Sequence, residues 1–501
     1  MTDGADWHRT SPFGALFYLG KVYQAIARNA VQSLAPLAAF LVAFKGDPMN
    51  RLLIGVGAFV IATVVLAFLN YWFFRYRLAE NSILIRQGVL KKRQLDIKFE
   101  RVQAVNTQQN LVYRLLGLVT VSFDTAGSSG QEGYLPAVRL QLARDLRDRI
   151  RRVPKEAIVE QRQVPPAAAV KPLIRLTFGD IIRIGLSSSR VFLLLVLIGP
   201  IGERVSQEFG DRIEESAVIE ALGEVQVGLM AGTAFALVLI FGVLLLLLCI
   251  SIIGAFLRYH RYELVADEDI LRSTGGLLTR HEHSVNRTKV QSLHATQNVM
   301  LRVFGRFRVK ARQASSGRGG RRSDFVVPLC TREKLADISD EIFGTEFSGL
   351  TLDPQSLAFV HVSPYFLRSR IVLAGILPAL AALIALWPTA GAAALLVLLW
   401  IPLCALGVWR VYRRYGVMYG ENGLALRSGF TGYRVVTWLH RKVQRISLTQ
   451  SPFQRRKHLA TVRVYLAAGP AVKIPFLDYD TAAKLRDYVL YRVESSRQAW
   501  H

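Results

Sequence analysis

The residues best suited to chemistry in this sequence are basic, and the densest group surrounds a glycine-rich loop. Residues 316–322 read SGRGGRR, and Arg312 lies shortly before them. Successive backbone N–H groups in such a loop can form a nest for an anion, and an arginine can hold a phosphate through two parallel hydrogen bonds. A Walker-type nucleotide site is excluded because no Gly-Lys-Ser/Thr sequence follows. The interpretation preferred from the sequence is a solvated hairpin tip, and contact with an anionic lipid head group is the alternative.

Basic side chains elsewhere extend this predicted lipid contact. The residues expected to meet anionic lipid are Lys91, Lys92, Arg93, Arg312, Arg318, Arg321, Arg322 and Arg434. The chain carries a net charge of +26 and is nevertheless 51% hydrophobic. Apolar segments for a bilayer and basic segments at its anionic surface account for both values. Nucleic acid would also attract so basic a chain, but the apolar segments make the membrane the expected partner.

Residues 281–283, with the sequence His-Glu-His, are a second candidate for chemistry. In a strand the two imidazoles would lie on one face, where they could ligate a metal. A third ligand would be needed, and the sequence offers His294. The spacing matches no HExxH site, the three cysteines form no CxxC pair, and no Ser/His/Asp or Cys/His set stands out. We therefore expect no metal, no cofactor and no enzymatic activity.

A sequence that occurs three times organises the chain around these residues. It reads RVQAVNTQQNLVYRLLG at 101–117, KVQSLHATQNVMLRVFG at 289–305 and KVQRISLTQSPFQRRKH at 442–458. A glycine lies 13 residues before each copy, and each copy carries a Gln and an Arg at fixed positions. These residues are Gly88, Gly276 and Gly429; Gln109, Gln297 and Gln450; and Arg114, Arg302 and Arg455. The preferred interpretation places the valines in a core and lets the glutamines satisfy backbone groups. A shared head-group site is the alternative.

Apolar segments before each copy predict paired membrane helices. The predicted spans are 30–44, 52–71, 191–202, 227–257, 371–387 and 390–409. A crossing helix needs about 20 residues, so the runs at 30–44 and 191–202 are short. Pro388 is expected to turn the third hairpin. Most of these residues lack charge, which weakens a transport pathway without excluding one.

Charge predicts the side of the membrane on which the copies lie. The loop between the third and fourth spans, residues 203–226, is acidic, and the basic flanks fall on the opposite side. The positive-inside rule then places all three copies in the cytoplasm, beneath the inner membrane. The predicted segments are an interfacial helix and hairpin at 1–74, a module at 75–152, a linker at 153–172, an interfacial helix and hairpin at 173–257, a module at 258–344, a linker at 345–364, a hairpin at 365–411 and a module at 412–496.

Each copy reads as short strands followed by one helix, a pattern typical of a small, partly closed barrel. A membrane hairpin, a basic exit and short strands around a Val-Gln sequence, three times over, resemble the bacterial pleckstrin-homology-like (PH-like) multi-pass membrane proteins of the YdbT type. The resemblance covers about Pro12 to Val493. It implies an α+β membrane protein with about six helices in three hairpins, each followed by a PH-like barrel or roll with a C-terminal helix. It implies no reaction.

The function expected from these features is that of a scaffold of the cell envelope. Three PH-like modules at the inner leaflet would contact anionic lipid or a protein partner that the sequence does not identify, and a homo-oligomer is compatible with this arrangement. The alternative is a transporter or export component whose cytoplasmic modules regulate it. A hydrolase with an unconventional site would need titratable groups clustered in one pocket, and the sequence singles out none.

Overall fold

The strands and helices of the computed structural model follow the three copies of the repeated sequence. The structure describes residues 7–28, 48–89, 92–125, 131–152, 172–188, 225–267, 270–313, 324–356 and 358–495. The predicted spans at 30–44 and 191–202, and the acidic loop at 203–226 up to residue 224, lie outside the described residues.

The first module follows helices α1 (Gly14–Arg28) and α2 (Pro48–Trp72). Its strands are β1 (Arg75–Leu78), β2 (Ser82–Gln87), β3 (Arg93–Lys98), β4 (Val102–Asn110), β5 (Leu118–Thr125) and β6 (Gln131–Arg139). A short helix, α3 (Leu111–Leu115), joins β4 to β5, and α4 (Leu140–Arg152) follows β6.

The second module has the same order of elements. Before it come β7 (Ile174–Arg175), α5 (Phe178–Leu186) and the long helix α6 (Val225–Tyr259). The module consists of β8 (Glu263–Asp267), β9 (Ile270–Gly275), β10 (Thr279–Asn286), β11 (Val290–Gln297), α7 (Val299–Val303), β12 (Phe307–Gln313), β13 (Phe325–Cys330) and α8 (Arg332–Phe343).

The third module repeats the order once more. Its membrane helices are α9 (Tyr365–Ile371), α10 (Leu377–Ala390) and α11 (Trp400–Arg414), with a π-helical turn at Val372–Ile376 and a 3-10 segment at Gly391–Leu399. The module consists of β14 (Gly416–Tyr419), β15 (Gly423–Ser428), β16 (Tyr433–Leu439), β17 (Val443–Thr449), α12 (Pro452–Arg455), β18 (Leu459–Leu466), β19 (Val472–Asp478) and α13 (Tyr479–Ser495).

Each module buries its core between two antiparallel sheets and the C-terminal helix. In the first module, Ile85 of β2 and Phe123 of β5 are fully buried, and Leu146 of α4 is 1% exposed beside them. The alternation of buried and exposed residues along β2 is what a half-buried strand requires, since successive side chains point to opposite faces. Two sheets closed by one helix form the α+β architecture that the sequence predicts.

Strand pairing joins neighbouring modules into continuous sheets. β4 of the first module pairs with β10 of the second, which gives a seven-stranded sheet in the order β6-β5-β4-β10-β9-β8-β7. β11 of the second module pairs with β16 of the third, which gives a six-stranded sheet in the order β13-β12-β11-β16-β15-β14. The modules are therefore fused through main-chain hydrogen bonds instead of being tethered as separate beads.

The segment between the second and third modules is packed as well. Phe347, Leu352 and Phe359 are buried in a cluster that includes Phe343 of α8 and Met418 of β14. Arg441, before β17, forms a 2.8 Å ion pair with Glu346 of this segment. The second junction thus combines a shared sheet with a shared apolar core.

Three helical stretches of the described residues are long and apolar enough to cross a membrane. They are Leu53–Trp72, Phe241–Tyr259 and Tyr365–Arg414. The last folds back on itself as a hairpin, because the indole N–H of Trp400 donates to the carbonyl of Ala374 and Gly375 lies against Cys404. The reversal occurs at Gly391, with φ of 51°, and not at Pro388, which lies within α10. Glycine tolerates that backbone conformation, whereas proline fixes φ near −65°.

Candidate anion-binding surface

Three basic side chains lie on the outer face of β12. The strand reads Phe-Arg-Val-Lys-Ala-Arg-Gln, and its first, third and fifth residues are buried in the core. Because strand side chains alternate between faces, the intervening basic residues share the opposite face. These residues are Arg308, Lys310 and Arg312. The alternation that builds the core thus also aligns three cations.

A fourth cation joins this face from the third module. β11 lies between β12 and β16, so residues of both strands meet across it. Thr296 of β11 is opposite Arg308 on one side and Arg434 on the other. Adjacent strands are about 4.8 Å apart, which puts the backbones of these two arginines about 10 Å apart. We call the group formed by Arg308, Lys310, Arg312 and Arg434 the basic face.

His294 lies at the centre of the basic face, opposite Lys310. Burial, together with the positive charges of Arg312, Arg434 and Lys310, lowers the pKa of its imidazole to about 3. The histidine is therefore neutral at physiological pH, and its Nε2 lies 3.1 Å from the hydroxyl of Ser292. The positive charges of Arg312, Arg434 and Lys310, which disfavour protonation of His294, would attract an anion.

Within the described ranges, the cations of the basic face have no acidic partners. Among the described residues, no carboxylate lies within ion-pairing distance of any of the four. The buried Nε atoms of Arg308 and Arg312 also lack a hydrogen-bond acceptor. The guanidinium of Arg312 lies against Gly469 of the β18–β19 loop, where a Cβ atom would collide with it. Guanidinium groups with free donors can bind a phosphate or carboxylate in a forked geometry.

The equivalent face at the first junction has different chemistry. Asn106 corresponds to His294, since each lies three residues before the repeated Gln. His281 corresponds to Arg434, since each lies five residues after the repeated glycine. The Asn106 side chain accepts a 2.9 Å hydrogen bond from the backbone N–H of Ser284. A cleft of about 140 Å³ opens beside Asn106 and His281. The basic face is thus particular to the second junction, and it is not a general feature of the module.

His281 and His283 lie side by side on β10, with ring centroids 6.0 Å apart. Burial lowers the pKa of His281 to about 4 and also lowers that of His283, so both are neutral at pH 7. In the part of the chain that the structure describes, no three His, Cys, Asp or Glu side chains form a group that could hold a metal ion. His294, the third ligand considered from the sequence, lies on β11 at the other junction.

Glu282, between the two histidines, points to the opposite face and connects two modules. Its carboxylate pairs with Arg147 of α4 at 2.9 Å and with Arg272 of β9 at 3.5 Å, and it accepts a 3.0 Å hydrogen bond from Thr107 of β4. Burial alone would raise the pKa of this carboxyl, but the hydrogen bonds and charges of Arg147, Thr107 and Arg272 hold it below its ordinary value. Glu282 is therefore a structural anion at the first junction.

The residues predicted to contact lipid separate into three groups. Arg312 and Arg434 meet at the basic face. Lys92 and Arg93 lie exposed at the start of β3, in the first module. Lys91, Arg318, Arg321 and Arg322 lie outside the described residues. Sequence reasoning missed Arg308 and Lys310, which the period of two in the β12 sequence could have indicated.

The repeated glutamine has a structural role in all three modules. Gln109, Gln297 and Gln450 each donate a side-chain hydrogen bond to a backbone carbonyl at, or one residue before, the start of the next strand, at 2.7, 3.1 and 2.9 Å. The preceding residue has positive φ in each case, at Gly117, Gly305 and His458. The core valines of the repeated sequence, Val102, Val290 and Val443, are buried as expected. The structural interpretation of these glutamines and valines is confirmed.

The short helix after each repeated glutamine presents apolar side chains to the surroundings. Leu115 of α3 is 87% exposed, Val303 of α7 is 75% exposed and Phe453 of α12 is 72% exposed. The repeated arginine is exposed on the same three helices. Exposed leucine, valine and phenylalanine beside arginine are typical of a surface that meets a membrane interface.

Contacts with the apolar helices place α7 close to the membrane. The side chain of Asn298, which caps α7, donates a 2.6 Å hydrogen bond to the carbonyl of Ser187 at the end of α5. There α5 packs on α6, where the Ser251 hydroxyl donates to the Gly185 carbonyl at 2.8 Å. Ser251 precedes the end of the candidate span at Tyr259 by about 12 Å, at 1.5 Å per residue. The start of α7 is therefore level with the apolar span.

The first module is attached to its span in a related way. Tyr113 of α3 donates a 3.1 Å hydrogen bond to the carbonyl of Phe13, just before α1. The next residue, Gly14, lies against Tyr71 in the last turn of α2, and the Tyr71 hydroxyl donates to the carbonyl of Thr10. Trp72, which is 45% exposed at the end of α2, stacks under Arg9. An exposed tryptophan beside arginine is typical of a membrane–water interface.

Comparison with known proteins agrees with this architecture. The sequence profile of the family described as Bacterial PH domain matches three stretches of the chain, residues 17–153, 218–344 and 370–493. The chain is 22% identical over 425 residues to the UPF0699 transmembrane protein YdbT of Bacillus subtilis (strain 168), covering 82% of this chain and 83% of that protein. No solved structure gives a significant match. The chain belongs to the bacterial PH domain family and is a membrane protein that carries this domain three times.

Proposed function

We propose that this protein is a non-enzymatic scaffold of the inner membrane that holds three fused PH modules against the cytoplasmic leaflet. In this proposal the basic face binds anionic head groups and fixes the orientation of the modules on the membrane. A protein partner would then meet a rigid platform, because the modules share sheets and do not move independently.

The observation that carries the proposal is the basic face itself. Arg308, Lys310, Arg312 and Arg434 surround the neutral His294 without a carboxylate partner among the described residues. Unpaired cations at such density are unfavourable in a protein that has no anion to bind, since like charges repel one another. A phosphate would neutralise them through charge-assisted hydrogen bonds.

The apolar short helices support the position against the membrane. α7 is tied to the apolar helix α6 through Asn298 and Ser187, and Val303 is exposed beside it. If the modules hung in the cytoplasm away from the bilayer, these side chains would face water. Contact with lipid would bury them, and burying one such side chain is worth about 1.5–3 kcal/mol.

The cytoplasmic side is inferred from charge. The basic residues after the spans, including Arg258 and Arg414, fall on the side of the modules, whereas the loop at 203–226 is acidic. The positive-inside rule assigns the basic side to the cytoplasm. The inner leaflet would also supply the anionic lipid that the basic face would bind.

Lipid retention by the intact protein tests the proposal. A variant with glutamine at all four positions of the basic face should lose affinity for phosphatidylglycerol, measured by native mass spectrometry of the full chain titrated with that lipid and with phosphatidylcholine. Each well-placed cation contributes about 1 kcal/mol, so the loss should approach about 4 kcal/mol if all four contribute fully.

A matched control removes the same charge elsewhere. Arg144, Arg149, Lys473 and Lys484 are exposed, and they lie on α4, β19 and α13. Replacing these four with glutamine should leave phosphatidylglycerol affinity nearly unchanged. Equal affinities in the two quadruple variants would reject the basic face as the lipid site.

A further inference from the structure

Each module has two strand edges that can pair with another module. One edge is the third strand of its first sheet, and the other is the first strand of its second sheet. In chain order the first kind are β3, β10 and β16, and the second kind are β4, β11 and β17. Two junctions use four of these edges, through β4 with β10 and β11 with β16. One edge of each kind is left over, β3 in the first module and β17 in the third.

Both junctions have the same register. Gln109 of β4 is opposite Arg280 of β10, and Gln297 of β11 is opposite Tyr433 of β16. Arg280 and Tyr433 each follow the repeated glycine of their own copy by four residues. The two junctions are therefore the same heterologous contact. Such a contact can be repeated with further modules until the assembly closes or a partner covers the two free edges.

The two remaining edges match the edges that already pair. In the shared register Gln450 of β17 would lie opposite Lys92, and Thr449 would lie opposite Arg93 of β3. The second junction contains the corresponding pair, Thr296 opposite Arg434. The two free edges thus carry, at this position of the register, the same Thr–Arg pair as the second junction.

The free edges are exposed within this chain. β11, which is paired on both sides, buries six of its eight residues, whereas β17 buries one of seven. Among the described strands, β3 and β17 each lie at the edge of a separate three-stranded sheet and do not pair with each other. Unpaired edge strands present a row of free backbone donors and acceptors and therefore favour pairing with another chain.

We infer that a second copy of this chain covers these edges, with β17 of one copy paired in antiparallel fashion with β3 of the other. The contact that relates successive modules also keeps every module at the end of a membrane helix, since α2, α6 and α11 lead directly into β1, β8 and β14. A further module added by the same contact would therefore stand on the same membrane. A second copy of the chain would provide this module, and it carries both edges that the contact requires, β3 and β17.

Cysteine crosslinking between differently tagged copies tests the inference. Thr449→Cys in one copy and Arg93→Cys in the other are made in a background without Cys249, Cys330 and Cys404, and both full-length chains are expressed in one membrane. Opposed residues on paired strands have Cβ atoms about 4.5–5.5 Å apart, so mild oxidation should give a mixed-tag disulfide dimer. Because each chain carries one cysteine, this product forms only between copies.

Two controls define the outcomes. Moving the second cysteine to Gln94 shifts it to the opposite strand face, and the mixed-tag dimer should then be lost. Thr296→Cys with Arg434→Cys in one chain should crosslink internally, which shows that the corresponding pair is competent. The inference is overturned if this internal control is oxidised while the mixed-tag dimer is absent. It is equally overturned if Thr449→Cys links instead to a different protein.

Discussion

Glu282 offers the most direct test that the first two modules form one body. Its carboxylate accepts hydrogen bonds or ion pairs from Arg147, Arg272 and Thr107, and Arg147 and Thr107 belong to the first module. Glu282→Gln keeps the size of the side chain and removes its charge. A buried hydrogen bond to a charged group contributes about 1.5–3 kcal/mol, and the Glu282 side chain is 18% exposed. We therefore expect the junction to lose about 2 kcal/mol, taken from that range.

Hydrogen exchange of the full chain in detergent measures this loss locally. A decrease of about 2 kcal/mol corresponds to roughly thirtyfold faster exchange, and it should be confined to the amides of β4 and β10. Glu494→Gln, an exposed acid near the end of α13, serves as the control and should change neither strand. Unchanged protection of β4 and β10 in Glu282→Gln would refute the reasoning that this carboxylate holds the junction.

Acid should act on the same contact without a mutation. The pKa of Glu282 is lowered in the folded protein. Its stabilisation is therefore fully present above its ordinary pKa of about 4.3 and is lost as pH falls through the lowered value. Below about pH 4 the protection factors of β4 and β10, which correct for the intrinsic pH dependence of exchange, should fall in the wild type. That loss of protection should be smaller in Glu282→Gln, which has no proton to gain at this site.

Three further changes have defined consequences. Gln297→Ala removes a buried hydrogen bond and should lower the free energy of unfolding by about 1 kcal/mol, measured by thermal unfolding in detergent. An unchanged melting temperature would show that this hydrogen bond does not stabilise the fold. Gly185→Val should separate α5 from α6, since a Cβ there would lie 2.7 Å from the Cα of Ile252, and overpacking costs about 1–3 kcal/mol; a wild-type melting temperature would contradict the contact. His294→Asn, which places the residue of Asn106 in the second junction, should reduce the loss of stability between about pH 6.5 and 3. A histidine of lowered pKa takes up its proton in the unfolded state first across that window, so identical acid profiles would argue against the buried neutral imidazole.

The elements within each module could be predicted from the sequence because their signals are local. The helix predicted after the strands of the second copy is α8, where the Thr331 side chain caps the first turn. The satisfaction of backbone groups by Gln109, Gln297 and Gln450 also follows from a repeat that holds its spacing in all three copies. The turn of the third hairpin was misplaced by three residues, because a proline in an apolar helix need not end it when the reversal is available at Gly391.

The junctions could not be predicted, because they depend on contacts between distant residues. Thr107 and Glu282 are separated by 175 residues, and a strand edge carries no local signal that names its partner. The basic face has the same difficulty. The alternating sequence of β12 could indicate three aligned cations, but only the pairing of β11 with β16 brings Arg434 to them. The function of such a surface therefore cannot be predicted from the sequence before the arrangement of the modules is known.

The side of the membrane on which the three modules lie is the claim on which the account most depends. Single cysteines at Arg149, Lys334 and Lys484 place one exposed label site in each module, in a background without the three native cysteines. A membrane-impermeant maleimide should label none of these positions in intact cells and all of them after the inner membrane is opened. Labelling of one, two or all three positions in intact cells would contradict a single fused body on the cytoplasmic leaflet.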